Sequence, residues 1–283
     1  MTGQTGLAEV SSGARMHAAD TPHRAHKATW PEHHAVAYLP GSLPGGGVVA
    51  NTPVHAFSRS PSILTFGPGD GLDPQRRDIE LGGLLAFEIS DVVSPAEADA
   101  IAAASEHLGF RDEAPGIATP PGMRMNKSVH WVADEALLGP VMARIAPLLP
   151  AQIDGRPLFG QLSHRLNMYR YDAEDVFNRH TDGDWPGYSL SPDRRAMQEW
   201  RGLRSALTML LYLNGPADGV SGGNTRLFRP DGTAVDVTPT KGSALFFRHG
   251  FGADSVVHEG RRVGAGRPKV VARINVMYGG GAA

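Results

Sequence analysis

The sequence has no cysteine in its 283 residues. Disulfide scaffolds, thiolate metal sites and cysteine nucleophiles are therefore excluded. It also has no uninterrupted apolar run of the ~18 residues that a membrane-spanning helix needs. The opening segment, MTGQTGLAEVSSGARMHAAD, carries no apolar h-region of a signal peptide. We expect a soluble, cytoplasmic protein with no membrane partner. Neither sign of charge is in excess: 27 Lys and Arg stand against 29 Asp and Glu, a formal net charge of −2. That balance gives no general attraction to nucleic acid. Nothing in the composition speaks to oligomeric state.

What is present suits a β-rich domain. Hydrophobic residues make up 41% of the chain, enough for a sizeable core, and there are 35 Gly and 22 Pro. That density of turn-formers fits many short strands better than a helical bundle. Residues 1–80 are the least patterned. They carry His17, His23, His26, His33, His34 and His55 at irregular spacing among Pro, Gly and Ser. We read them as a partly irregular N-terminal extension, with short strands possible around PSILTF.

Order begins near LGGLLAFEI (81–89), read as a strand. In VVSPAEADAIAAASEHLGF, Ser94 is an N-cap, Pro95 the first helical residue and Glu97 the partner of a capping box, with Gly109 ending the helix. A second helix fits ADEALLGPVMARIAPLLP, its apolar residues at helical spacing, although Pro140 interrupts its middle. A third is expected from Ser191 to Trp200. From residue 160 the pattern turns to short strands, near 162–171, 176–182, 204–213, 224–228, 234–238, 243–248, 255–258 and 269–278. Helices followed by about eight short strands predict an α+β, mainly β fold. Its double-sheet jelly-roll core spans about 160–278, within a domain of 81–283, and the N-terminal helices pack against one sheet.

The chemistry concentrates in FNRHTDGDW (177–185). Residues two apart on a strand project from one face, so His180 and Asp182 point an imidazole and a carboxylate at one place. Taken alone, that pair is an ordinary loop hydrogen bond. A second histidine, His258, stands downstream in SVVHEG. Two histidines and one carboxylate on one face of a metal leave the opposite face open, as an iron(II) oxygenase requires.

The surrounding blocks carry a resemblance. RLNMYRYDAEDVFNRHTDG resembles the first metal-bearing strand pair of the prolyl-4-hydroxylase-like branch of the Fe(II)/2-oxoglutarate-dependent dioxygenases. SALTMLLYLNGPADGVSGGNTRLF is similar to that family's next block, and PTKGSALFFRHG and VVHEGRRVGAGRPKVVARINVMY to its last two. MRMNKSVHWVAD resembles its Arg/Asn-containing strand more weakly.

The resemblance implies a jelly-roll dioxygenase using Fe(2+), 2-oxoglutarate and O2, with ascorbate as a stimulant. It implies His180, Asp182 and His258 as iron ligands, with Asp184 as a decoy two residues beyond Asp182. It places the cation for the distal carboxylate of 2-oxoglutarate on the strand after His258, where Arg267, Lys269 and Arg273 are candidates. Lys269 fits when counted back from Tyr278, but the segment is one residue longer than usual. Lys269 and Arg273 share a strand face. Tyr169 and Tyr171 share one with Arg165 and Asn167, and the resemblance implies that a tyrosine there bonds 2-oxoglutarate. Arg124, Asn126, Arg165 and Trp185 are candidates for substrate contact. Thr208, Tyr212, His164 and His249 read as structural. The expected reaction is hydroxylation of a small molecule, amino acid or natural-product intermediate, with release of succinate and CO2. Desaturation, cyclisation and epimerisation are alternatives, as is a jelly-roll protein that binds a ligand without turnover.

Overall fold

The computed structural model describes Met1 and residues 29–280; His17, His23 and His26 lie outside the described residues. Two sheets face each other. The large one runs, in spatial order, Arg76–Asp78, Ala86–Ile89, Ala244–Arg248, Leu203–Tyr212, Lys269–Gly279, Arg165–Tyr171, Lys127–Val132, Val48–Phe57, His33–Ser42 and Ala114–Pro115. The small one runs Phe177–His180, His258–Gly260, Thr225–Phe228 and Ala234–Val237. This is the expected mainly β, jelly-roll architecture.

Strand alternation divides the core in two. On one face of the large sheet, Leu166, Met168, Leu207, Met209, Ala272 and Ile274 pack against the two helices. Residues in alternate positions, such as Tyr169, Tyr171, Leu210 and Val271, turn the other way and meet Phe177, Leu227 and Val256 between the sheets. The central strands are buried on both faces, so they read as near-continuous apolar runs. Several of the polar residues that interrupt those runs, Asn167, Thr208, Lys269, Arg273 and Asn275 among them, sit on the inter-sheet face, whereas Arg170 faces the first helix and pairs with Glu106.

The first helix, Pro95–Leu108, forms where the sequence signals it. The Ser94 hydroxyl accepts from the Glu97 N–H at 3.2 Å, and the Ser94 N–H donates to the Glu97 carboxylate at 2.8 Å. The second, Glu135–Ile145, continues through Pro140. Proline cannot donate to the carbonyl four residues back, that of Ala136. The Phe66 N–H donates to that carbonyl instead, at 3.0 Å, so no acceptor is stranded.

Three elements differ from expectation. Within 1–80, His33–Ser42 and Val48–Phe57 form an antiparallel hairpin that joins Lys127–Val132 in parallel. Its apolar residues Val36, Val54 and Ala56 pack on Val132, a contact that local periodicity cannot reveal. The expected third helix is a hairpin, Gly187–Leu190 with Met197–Trp200. Ser191 does cap, but it caps the turn: its hydroxyl donates to Asp193 at 2.6 Å and accepts from the Ala196 N–H at 3.0 Å. Arg194 adopts φ 61° there and is tied to the Asp134 carboxylate and the Phe57 carbonyl. In LGGLLAFEI only Ala86–Ile89 is a strand, because Gly82 and Gly83 take positive φ in a turn. Among the described residues, no helix is long and apolar enough to cross a membrane.

Candidate metal centre

His180 and His258 are direct cross-strand partners on the small sheet. The strand carrying His180 ends at that residue, two short of the expected span. Asp182 lies just beyond it, its carbonyl accepting from the Gly250 N–H at 3.0 Å. Nonetheless the three side chains converge. Their nearest donor atoms lie within 4.8 Å of one another, and among the described residues no other such cluster of potential metal ligands occurs. His180 Nε2 is 3.8 Å from Asp182 Oδ1, and His258 Nε2 is 3.9 Å from Oδ2.

Hydrogen bonds fix how each group presents itself. His180 Nδ1 lies 2.7 Å from the Asn178 carbonyl, and His258 Nδ1 lies 3.2 Å from that of Val256. A carbonyl only accepts, so both Nδ1 atoms carry the proton and both Nε2 lone pairs are free to ligate. Phe177 stacks on His180 at 3.8 Å and Phe247 lies 4.4 Å from His258, which hold the rings in place. Burial lowers the His258 pKa to about 3 and lowers that of His180, so both stay neutral at pH 7.

Asp182 Oδ2 accepts from Thr208 Oγ1 at 2.6 Å and from Arg273 Nε at 2.8 Å. Burial pushes the carboxyl upward, but Arg273 beside it holds it well below the usual carboxylate range. Oδ1 is left towards His180. Two neutral imidazoles and one ionised carboxylate suit a divalent iron and leave one side of it open.

Thr208 continues into a directional chain. Its one hydroxyl proton goes to Asp182, so His249 Nδ1, 2.7 Å away, must donate to Thr208. His249 Nε2 then accepts from Ser205 Oγ at 2.8 Å, and Ser205 Oγ accepts from the Trp185 N–H at 2.9 Å. Burial lowers the His249 pKa to about 3, consistent with this neutral tautomer. From sequence, Thr208 and His249 read only as structural. The one available signal was that alternation places Thr208 on the inter-sheet face, the same face as Arg273 through their common neighbours.

A pocket opens beside the triad, lined by Tyr169, Tyr171, Leu210, Thr225, Lys269 and Arg273. Lys269 pairs with Tyr171 in the sheet and Arg273 with Asn167. Four residues of strand separate them by about 13 Å, so Arg273 sits at the triad and Lys269 at the other end. Lys269 Nζ donates to the Gly223 carbonyl at 2.6 Å and lies 5.3 Å from the Tyr171 ring and 5.5 Å from the Tyr212 ring. No carboxylate pairs with it among the described residues, and burial lowers its pKa to about 7. A buried ammonium without a counter-ion at the end of a pocket fits an incoming carboxylate. Arg267 is exposed and outside this pocket.

The other candidates divide. Arg165 and Trp185 line a narrow slot behind Arg273, and Trp185 also borders a cavity of about 400 Å³ at the mouth of the triad. Arg124 and Asn126 line neither. Arg124 is fully buried and donates to the carbonyls of Asn126, Ser42 and Asp112; it ties the hairpin to the sheet rather than facing a ligand. Asp184 turns away to Arg204 at 2.8 Å. His164 bonds Glu135 at 3.0 Å on the helix side.

Residues 166–277 match the family model of the 2OG-Fe(II) oxygenase superfamily, and that span contains the triad, Lys269 and Arg273. Over that span, somewhat under half of the chain, the protein is similar to oxygenases that use iron(II), 2-oxoglutarate and O2. Solved structures similar to it include a viral collagen prolyl hydroxylase from Paramecium Bursaria Chlorella virus-1, 17% identical, covering 71% of this chain and 100% of that one, at a TM-score of 0.47. A Pseudomonas putida prolyl-4-hydroxylase is 18% identical, covering 70% and 94%, at 0.42. A Trichoplax adhaerens prolyl hydroxylase in complex with a hypoxia inducible factor peptide fragment is 17% identical, covering 70% and 84%, at 0.42. Among curated proteins, none matches.

Proposed function

We propose that His180, Asp182 and His258 hold the iron, that Lys269 receives the distal carboxylate of 2-oxoglutarate, and that the enzyme hydroxylates a small or amino-acid-like molecule. The observation that carries this reading is one pocket with a neutral His–His–carboxylate set at one end and an unpaired buried ammonium at the other. When bound, iron and 2-oxoglutarate together supply the oxidising power, with succinate and CO2 as co-products.

The chain's own residues position and enclose. His180 and His258 present Nε2 because their Nδ1 protons are tied to carbonyls. Arg273 and Thr208 hold one oxygen of Asp182 and so orient the other. Lys269 and the Tyr171 ring fix the far end of the cosubstrate. Phe177, Leu210 and Val271 keep water from the reacting centre. Substrate enters through the 400 Å³ cavity, whose walls include Ile117, Pro120, Met123, Trp185 and Phe251.

Iron-dependent release of succinate from 2-oxoglutarate tests the reading. Wild type should release it, His180→Ala should not, and Lys269→Met should do so only at much higher 2-oxoglutarate. Undiminished release by folded His180→Ala would overturn the assignment. Product analysis then separates hydroxylation from desaturation, cyclisation or epimerisation, and a prolyl peptide serves as the competing substrate.

A further inference from the structure

Arg165, like Lys269 and Arg124, is a buried cation without a counter-ion, but where Arg124 is used on three carbonyls, Arg165 lines an open slot. It is 6% exposed, and among the described residues no carboxylate pairs with it. Its Nη2 donates to the Pro115 carbonyl at 2.8 Å and to His130 Nδ1 at 2.9 Å. Because arginine only donates, His130 accepts there and is neutral. Arg165 Nε has no partner. Arg273, neutralised by Asp182 through Nε, has an unpartnered Nη2, and Asn275 Oδ1 is also unpartnered. Arg165, Arg273, Asn167 and Asn275 line the slot together, with Trp185 and Tyr188 as walls.

A buried guanidinium is costly unless an anion meets it. Lys269 has the same deficit, and the cosubstrate's distal carboxylate answers it. The slot is separate from the Lys269 end and continuous, at Gly116, Ile117, Trp185 and Arg273, with the 400 Å³ cavity. Its free volume is about 10 Å³, roughly one water. The larger cavity has apolar walls at Ile117, Pro120, Met123 and Phe251.

We propose that this slot is an anion subsite in which Arg165, assisted by Arg273, binds a carboxylate of the substrate, so that the substrate is a small organic acid with an apolar body. The inference rests on the oxygenase reading of the triad and deepens it. Arg165 thereby sets specificity by charge, and the apolar body lies across the mouth of the metal centre.

The test uses matched probes, hexanoate against hexanamide and N-acetylleucine against N-acetylleucinamide. They are titrated calorimetrically into the anaerobic iron(II)–2-oxoglutarate complex while its visible charge-transfer band is followed. Each acid should bind about tenfold or more tightly than its amide. The preference should fall to within about twofold in Arg165→Gln and persist in part in Arg165→Lys. Asn275→Asp, which adds a negative charge and leaves Arg165 in place, should also abolish it.

Equal binding of acids and amides, or no binding of the acids, to a wild-type complex that shows the band overturns the subsite and leaves the oxygenase reading intact. Loss of the band on adding hexanoate also overturns it, because the acid has then displaced 2-oxoglutarate instead. An Arg165-dependent acid preference in protein that never forms the band supports the subsite and overturns the oxygenase reading.

Discussion

Arg273 donates its Nε proton to Asp182 Oδ2 at 2.8 Å, across 91 residues of sequence. Arg273, one of the cations that the sequence offered as a clamp for 2-oxoglutarate, is thus occupied by Asp182, and Lys269 is the candidate we propose for the cosubstrate. Arg273→Met should leave Asp182 buried with Thr208 as its one remaining donor. Breaking a buried pair this way costs about 3–5 kcal/mol, to be read from denaturant midpoints of the metal-free protein. The pH dependence should change too. Asp182 has its pKa depressed below the ordinary 3.8 in the fold, so its contribution is present above about pH 4 and is lost as pH falls below that. Arg273→Met should flatten this acid limb.

Two buried histidines set a second pH window. His249 and His258 have folded-state pKa values of about 3, against an ordinary 6.5. Below 6.5 the unfolded chain takes up protons that the fold refuses, so metal-free protein should lose stability as pH falls from 6.5 towards 3. Each group contributes a slope approaching about 1.4 kcal/mol per pH unit. His258→Gln should remove one share of that slope in urea titrations at pH 7, 6 and 5. An unchanged slope would contradict the assignment.

Lys269 should make cosubstrate binding pH-dependent. Its pKa is lowered to about 7 by burial, and only the protonated form attracts a carboxylate. The apparent Kd for 2-oxoglutarate should rise as pH increases from 7 to 9, approaching about tenfold per unit. Lys269→Arg, which stays charged throughout, should remove the dependence. Lys269→Met should weaken binding at pH 7 by about a hundredfold.

The chain from Ser205 through His249 and Thr208 to Asp182 makes a prediction about positioning. Thr208→Val removes the bond to Asp182 and strands the His249 Nδ1 proton. Iron affinity, measured by equilibrium dialysis, should fall about tenfold to a hundredfold, and stability by about 1–3 kcal/mol. Thr208→Ser should restore both, whereas a role confined to packing would be met equally by valine.

Much of this site was legible because strand alternation is strict. The pairing of His180 with Asp182 and the shared face of Lys269 with Arg273 were read from a period of two, while His258 as the third ligand came from the family resemblance. What alternation cannot give is partnership between cations and acids distant in sequence. Alternation offered Arg165 and the family resemblance offered Arg124 as equal candidates for substrate contact, yet Arg124 faces three carbonyls and Arg165 a slot. The hairpin of residues 33–57 was hidden for a similar reason. His33 packs edge-on against His55 and His107, and Phe57 stacks face-on against Trp30 and edge-on against Trp131, contacts made only once distant segments meet. Ser191–Pro192 misled because a Ser cap followed by Pro opens a tight turn as readily as a helix.

The central claim is that one pocket holds iron on His180, Asp182 and His258 and 2-oxoglutarate on Lys269. Its most direct test is the visible charge-transfer band on anaerobic addition of iron(II) and 2-oxoglutarate to metal-free protein. The account predicts a band in wild type that is absent in His180→Ala and, in Lys269→Met, appears only at far higher 2-oxoglutarate. A band of wild-type intensity in His180→Ala, or none in folded wild type, would contradict it.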